Sequence, residues 1–192
     1  MLGKQQLLAV LVGACLMLAL PSPCPAATTI TVNSNSDTGS MAICVLRDAI
    51  TAANTNTTTN GCTVGAGGGP FTIVFDSSLF GDTVTLGSTL PAITSTNLTI
   101  TGPSVSSSAI IIDGNQSVQI MQINLGATVS LQYLTFENGF LQGASGSASD
   151  EQGGAIQNNG TLTIANCTLS NNQAIGGSSG GTSQGVHSAS RN

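Results

Sequence analysis

Apolar positions follow two rhythms along this chain. Residues 28–32 alternate threonine with Ile30 and Val32, the period of a strand buried on one face. Leu46, Ala49, Ile50 and Ala53 recur at i, i+3, i+4 and i+7, which makes one apolar face of a helix, with Arg47, Asp48 and Thr51 on its other sides. The spacing predicts a helix over residues 45–53, ending near Asn54, and a loop over 55–69 that closes on three glycines. From Phe71 onward the rhythm becomes short β-branched runs at 71–75, 83–86, 98–101, 110–112, 118–123, 129–136 and 161–169. Gly, Asn, Asp and Ser punctuate them, as turn residues do. No helical stretch intervenes, so a βαβ sheet is excluded and a sandwich, a barrel or a solenoid remains.

An internal repeat decides among these. Residues 127–139 and 160–172 align at an offset of 33, with small, Thr, aliphatic, Ser/Thr and aliphatic residues coinciding and Asn near the end of both. Residues 96–101 form a weaker third copy. Each copy reads as strand, tight Asn/Gly turn, strand. Such a unit cannot bury its apolar face alone, whereas stacked copies bury a continuous aliphatic core. The expected fold is therefore all-β, a parallel β-helix with a short N-terminal capping helix. In it Leu46, Ile50 and Ala53 plug the first turn of the core. Arg47 binds Asp or carbonyl groups locally, and residues 140–152 form an extruded loop carrying a solvated Asp150 and Glu151.

The first residues place this fold outside the cytoplasm. Lys4 precedes an apolar run over residues 7–20, Pro21 and Pro23 break it, and Ala26-Ala27 offers small residues for cleavage, the layout of a secretory signal peptide. The run is shorter than the roughly 20 residues of a spanning helix. Val12-Gly13-Ala14-Cys15 resembles a lipobox, but the run continues past it through Leu16-Met17-Leu18. The organisation expected is a signal peptide at 1–27, an N-terminal strand and capping helix at 28–69, β-helix coils at 70–175 and a Gly/Ser-rich tail at 176–192. The tail, with no capping pattern, suggests a truncated product. Export permits disulfides. Cys44 and Cys62 flank the helix-and-loop unit and form the expected pair, leaving Cys167 as a small buried hydrophobe. A net charge of −5 with three basic residues provides no basic patch, which excludes nucleic acid and a polybasic membrane mode.

Two stretches carry a family resemblance. Cys44-Val-Leu-Arg-Asp-Ala-Ile-Thr-Ala-Ala-Asn54, preceded by Asp37, resembles the CSLREA motif that opens many secreted bacterial β-helix proteins. Val45 departs from the usual Ser or Thr, and Asp48 from the usual Glu. Phe71–Asp76 and Leu90–Ile93 resemble the strands that follow it. Gly153-Gly154-Ala155-Ile156 resembles the GGAI repeat of polymorphic outer-membrane proteins and related autotransporter passengers. Phe136-Glu-Asn138-Gly139 resembles their FxxN tetrapeptide with Gly in the Asn place, and Leu169-Ser-Asn-Asn172 keeps the Asn without the Phe. The resemblance implies a right-handed, pectin-lyase-like β-helix exported to a bacterial cell surface or secreted. It does not imply an activity.

Function classes narrow accordingly. Polysaccharide hydrolases need paired carboxylates, and the acids Asp76, Asp82, Asp113, Glu137, Asp150 and Glu151 are scattered in the sequence. Asp76 and Asp113 follow strands and read as Asx turns. The only histidine, His187, sits in the tail, and cysteine spacings fit no zinc site. No catalytic set, cofactor or metal is expected. The leading expectation is a structural or adhesive module whose ligand is a surface glycan or protein, with end-to-end self-association at an uncovered end. The alternatives are a solenoid whose Thr-rich faces bind ice or a glycan lattice, and a polysaccharide lyase or hydrolase.

Overall fold

A computed structural model describes residues 27–104, 109–144 and 152–177, and the backbone of 186–187. The expected signal peptide, Cys15, Asp150, Glu151, Arg191 and most of the tail lie outside the described residues. Fourteen strands and one α-helix follow in order. β1 is Thr28–Val32, α1 is Leu46–Thr55, β2 is Phe71–Phe75, β3 is Thr83–Thr85, β4 is Leu98–Thr101 and β5 is Ile110–Asp113. Then come β6 (Met121–Ile123), β7 (Thr128–Gln132), β8 (Leu134–Glu137), β9 (Phe140–Gln142) and β10 (Ile156–Asn158). β11 (Thr161–Ala165), β12 (Thr168–Ser170), β13 (Gln173–Ile175) and β14 (Val186–His187) complete the set.

The protein is mostly β, and its sheets are parallel. One runs β1-β2-β4-β7-β11, a second β12-β8-β5-β3, a third β10-β6 and a fourth β14-β13-β9. Every strand pair described is parallel except β13 with β14. The 33-residue repeat sets the register of three strand pairs at the end of the stack: Thr128 faces Thr161, Thr135 faces Thr168 and Phe140 faces Gln173. Because side chains alternate across a strand, this register aligns inward residues in columns. Ile30, Ile73, Ile100, Leu131 and Ile164 form one; Val84, Ile112, Phe136 and Leu169 form another. Except for Ile164 and Leu169, which are exposed at the last repeat, these residues build a single core together with α1. The division drawn at residue 70 thus separates sequence patterns, not cores.

Left-handed residues turn the chain between strands. Tyr133 (φ 55°) and Asn166 (φ 56°) divide β7 from β8 and β11 from β12, and Asn138 (φ 53°) and Asn171 (φ 54°) end β8 and β12. Each pair is again 33 residues apart. The continuous runs expected at 129–136 and 161–169 are therefore each two strands meeting at a corner. The run at 118–123 shortens to β6. The loop expected at 140–152 is corrected in part, because Phe140–Gln142 is a strand held against β13. The helix begins and ends one or two residues later than the apolar spacing indicates. Asn56 takes the left-handed conformation and its N–H reaches the Ala52 carbonyl, a helix stop that asparagine tolerates better than most residues. No helix among the described residues is long and apolar enough to cross a membrane.

Candidate functional site

The helix residues singled out in the sequence converge on the start of the chain's strand stack. α1 packs on β1 and β2, with Leu46, Ala49, Ile50 and Ala53 buried in the common core. Arg47 is the polar anchor. Its guanidinium meets the Asp37 carboxylate at 2.6 Å and donates to the carbonyls of Thr89 and Ser88 at 2.7 Å each and of Asp37 at 3.3 Å. Asp37 in turn accepts the Gly87 N–H. A planar fork with five donors suits such convergent acceptors. Asn54 ties the other end of α1 to the 92–95 segment, donating to the Ala92 carbonyl and accepting from the N–H groups of Thr94 and Ser95. Asp48 accepts from Asn60. Cys44 and Cys62 form a disulfide, both buried.

The repeat-motif residues bring successive repeats into contact. Asn172 accepts the Gly139 N–H at 2.7 Å and donates to the Phe136 carbonyl at 3.0 Å. A Cβ on Gly139 would lie 2.8 Å from the Asn172 carboxamide oxygen and 2.9 Å from the Ala155 Cα, so glycine at this place of the tetrapeptide makes room for the next repeat. Gly154 backs onto the Gln173 backbone just as closely. Gln119, buried beside them, donates to the carbonyls of Gln152 and Gly153. Ala155 is buried, Ile156 half-buried.

At this corner a groove of about 330 Å³ opens, lined by Gln116, Asn138, Gly139, Phe140, Asn171 and Gln173. Asn138 is committed, donating to Asp113 at 3.0 Å. Among the described residues the carboxamides of Gln116, Asn171 and Gln173 have no intramolecular partner. They present neutral donors and acceptors beside the half-buried Phe140 ring, a lining suited to hydroxyl-rich ligands. No sequence motif announces this groove, because its residues come from three repeats spanning 116 to 173.

A second polar surface covers the five-stranded sheet. Thr29, Thr72, Thr99, Ser130 and Thr163 face one another across β1, β2, β4, β7 and β11, a hydroxyl row spaced at roughly 4.8 Å by strand pairing.

Among the described residues the acids do not gather into a cleft, with one exception to the scatter seen in the sequence: Asp113 and Glu137 are register partners on β5 and β8. Asp113 accepts the Asn115 N–H at 2.8 Å as well as Asn138, so its carboxylate is engaged in the turn. Asp76 accepts the hydroxyl and the N–H of Ser78, which hold its carboxyl below the ordinary 3.8. Both Asx turns read from the sequence are present. No cluster of three metal-ligating side chains occurs among the described residues. Cys167 is free and half-buried, and burial pushes its thiol up.

No family model, curated protein or solved structure matches the chain.

Proposed function

We propose that this chain is an exported, non-catalytic surface module, built as a right-handed parallel β-helix of the CSLREA type, that binds neutral glycans. The observation that carries the reading is the groove at the 116–173 corner. Its carboxamides that have no partner among the described residues can exchange hydrogen bonds with sugar hydroxyls, Phe140 can cover an apolar sugar face, and no charged side chain is among its lining residues. The parallel sheets, with three strand pairs held at one 33-residue offset, support the β-helix. The apolar run after Lys4 and the buried disulfide support export and an oxidising compartment. α1, with its Arg47 and Asn54 anchors, acts as the cap of the first coil. It shields aliphatic core that would otherwise be exposed.

The test is binding of the purified chain to immobilised neutral oligosaccharides, compared with the Asn171→Gly/Gln173→Ala variant, in which glycine keeps the left-handed backbone of position 171. The reading expects the variant to lose about tenfold in affinity, the effect of roughly 1.4 kcal/mol, with its thermal melting unchanged. Equal binding by both proteins removes the groove from the account. Incubation with uronate polymers and calcium separates this reading from a lyase, which would release unsaturated products.

The threonine row supports a second reading, binding to a regular lattice of ice or packed glycan chains. A freezing-hysteresis assay of the chain and of its Thr72→Lys/Thr99→Lys variant decides it. Hysteresis in the parent that the variant lacks would favour the lattice.

A further inference from the structure

We infer that two copies of this chain associate through their C-terminal ends, with β11 of one copy adding antiparallel to β11 of the other. The inference rests on the strand stack and not on glycan binding. At the last repeat the core columns come to the surface. Ile164 and Leu169 are each 41% exposed, while their register partners Leu131 and Phe136 are 0% and 1% exposed. Cys167 and Leu162 are only half-buried between and beside them. Among the described residues β11 and β12 are terminal strands of their sheets, so each presents a strand edge beside exposed aliphatic side chains. Strand edges of this kind pair readily with another chain.

Three observations identify the occupant as a second copy meeting the same end. First, the opposite end of the stack carries α1 against β1 and β2, with the disulfide beside it. A head-to-tail contact would set the exposed columns against an end whose own inward residues, Ile30 and Val32, are already fully buried. Second, residues 152–177 contain no charged side chain, so two such ends approach without repulsion although the chain as a whole carries −5. Third, an antiparallel strand already completes this repeat elsewhere, since β14 pairs with β13 at Ala174 and Ile175. A two-fold axis normal to the β11 face keeps inward residues inward, so the Leu162 and Ile164 columns of both copies join into one core. The contact is isologous and closes at two copies.

The experiment is sedimentation equilibrium of the full chain purified after export, alongside two variants: Ile164→Lys/Leu169→Lys at the open end and Met41→Lys at the capped end, where Met41 is 91% exposed. The expected result is twice the chain mass for the parent and for Met41→Lys. The open-end variant should be a single chain whose circular dichroism matches the parent. A monomeric parent overturns the inference and leaves the chain's own residues 178–192 as the cover of that end. A dimer that survives the open-end charges, or that Met41→Lys abolishes, overturns it as well, as does open-ended growth beyond two copies.

Discussion

The five-stranded sheet begins and ends with strands of the same pattern, yet the two ends differ in what lies beyond them. β1 places Ile30 and Val32 inward, and both are fully buried. β11 places Leu162 and Ile164 inward, and Ile164 is 41% exposed. Strand sequence does not account for the difference, because Thr-Ile-Thr-Val and Thr-Leu-Thr-Ile alternate alike. The difference is the helix. At the first end α1 and the Cys44–Cys62 bridge supply a layer of side chains, and Arg47 and Asn54 fasten that layer to later segments by hydrogen bonds. At the other end no such layer follows β11 and β12 among the described residues. Alternation specifies which face of a strand points inward; a neighbouring element must still provide something for that face to bury against.

The comparison can be broken most forcefully at the helix. Leu46→Asp places a carboxylate in a fully apolar site and should cost about 4 kcal/mol or more, unfolding or aggregating the protein. Near-parental thermal melting of that variant would contradict the cap. A matched pair sharpens the contrast along one column. Ile100→Ala, in the buried middle, should cost about 3 kcal/mol, and Ile164→Ala, at the open end, less than about 1 kcal/mol. Denaturant unfolding at high dilution, where contacts between copies vanish, measures both. Equal losses would mean that the last repeat is as well covered as the middle. Removing the disulfide with Cys44→Ala/Cys62→Ala should cost about 3 kcal/mol for a bridge closing a loop with a sequence separation of 18, read from the same transitions.

Arg47→Met keeps much of the side-chain volume and removes the fork, which should cost about 2 kcal/mol as the Asp37 carboxylate and three carbonyls lose their donor. Rescue by Arg47→Lys should be incomplete, because an ammonium cannot reproduce the planar geometry. The smallest effect lies away from both ends, at the exposed Asp76. Its carboxyl is held below 3.8 by Ser78, so it favours the folded state fully above that value. The contribution fades as pH falls through the lowered folded-state value. Asp76→Asn should therefore destabilise slightly at pH 7 and not at all in strong acid, and a pH series of melting temperatures reads the difference.

Much of this architecture was legible in the sequence, and the limits have physical causes. The helix face showed because four apolar residues repeat at 3.6, and the repeat showed because its register is a constant 33. The corner at Tyr133 did not show, since tyrosine is not a residue that favours the left-handed region; only its asparagine counterpart at 166 hints at it. β9 was hidden because Phe-Leu-Gln lacks alternation and runs into Gly and Ser. The contacts of Arg47 with Ser88 and Thr89, the groove between residues 116 and 173, and the pairing of Asp113 with Glu137 all depend on which strands become neighbours. Local spacing does not encode that.

The central claim is that strands distant in sequence are stacked in one register from β1 to β11. Thr29 and Thr163 stand at the two edges of the five-stranded sheet, four strand spacings apart, about 19 Å by strand geometry. Spin labels attached at these two outward positions, diluted with unlabelled chain so that only intramolecular pairs report, measure that separation by pulsed dipolar spectroscopy. The account predicts a single narrow distribution near 19 Å, widened only by the label arms. A broad distribution, or one centred beyond about 35 Å, would contradict it.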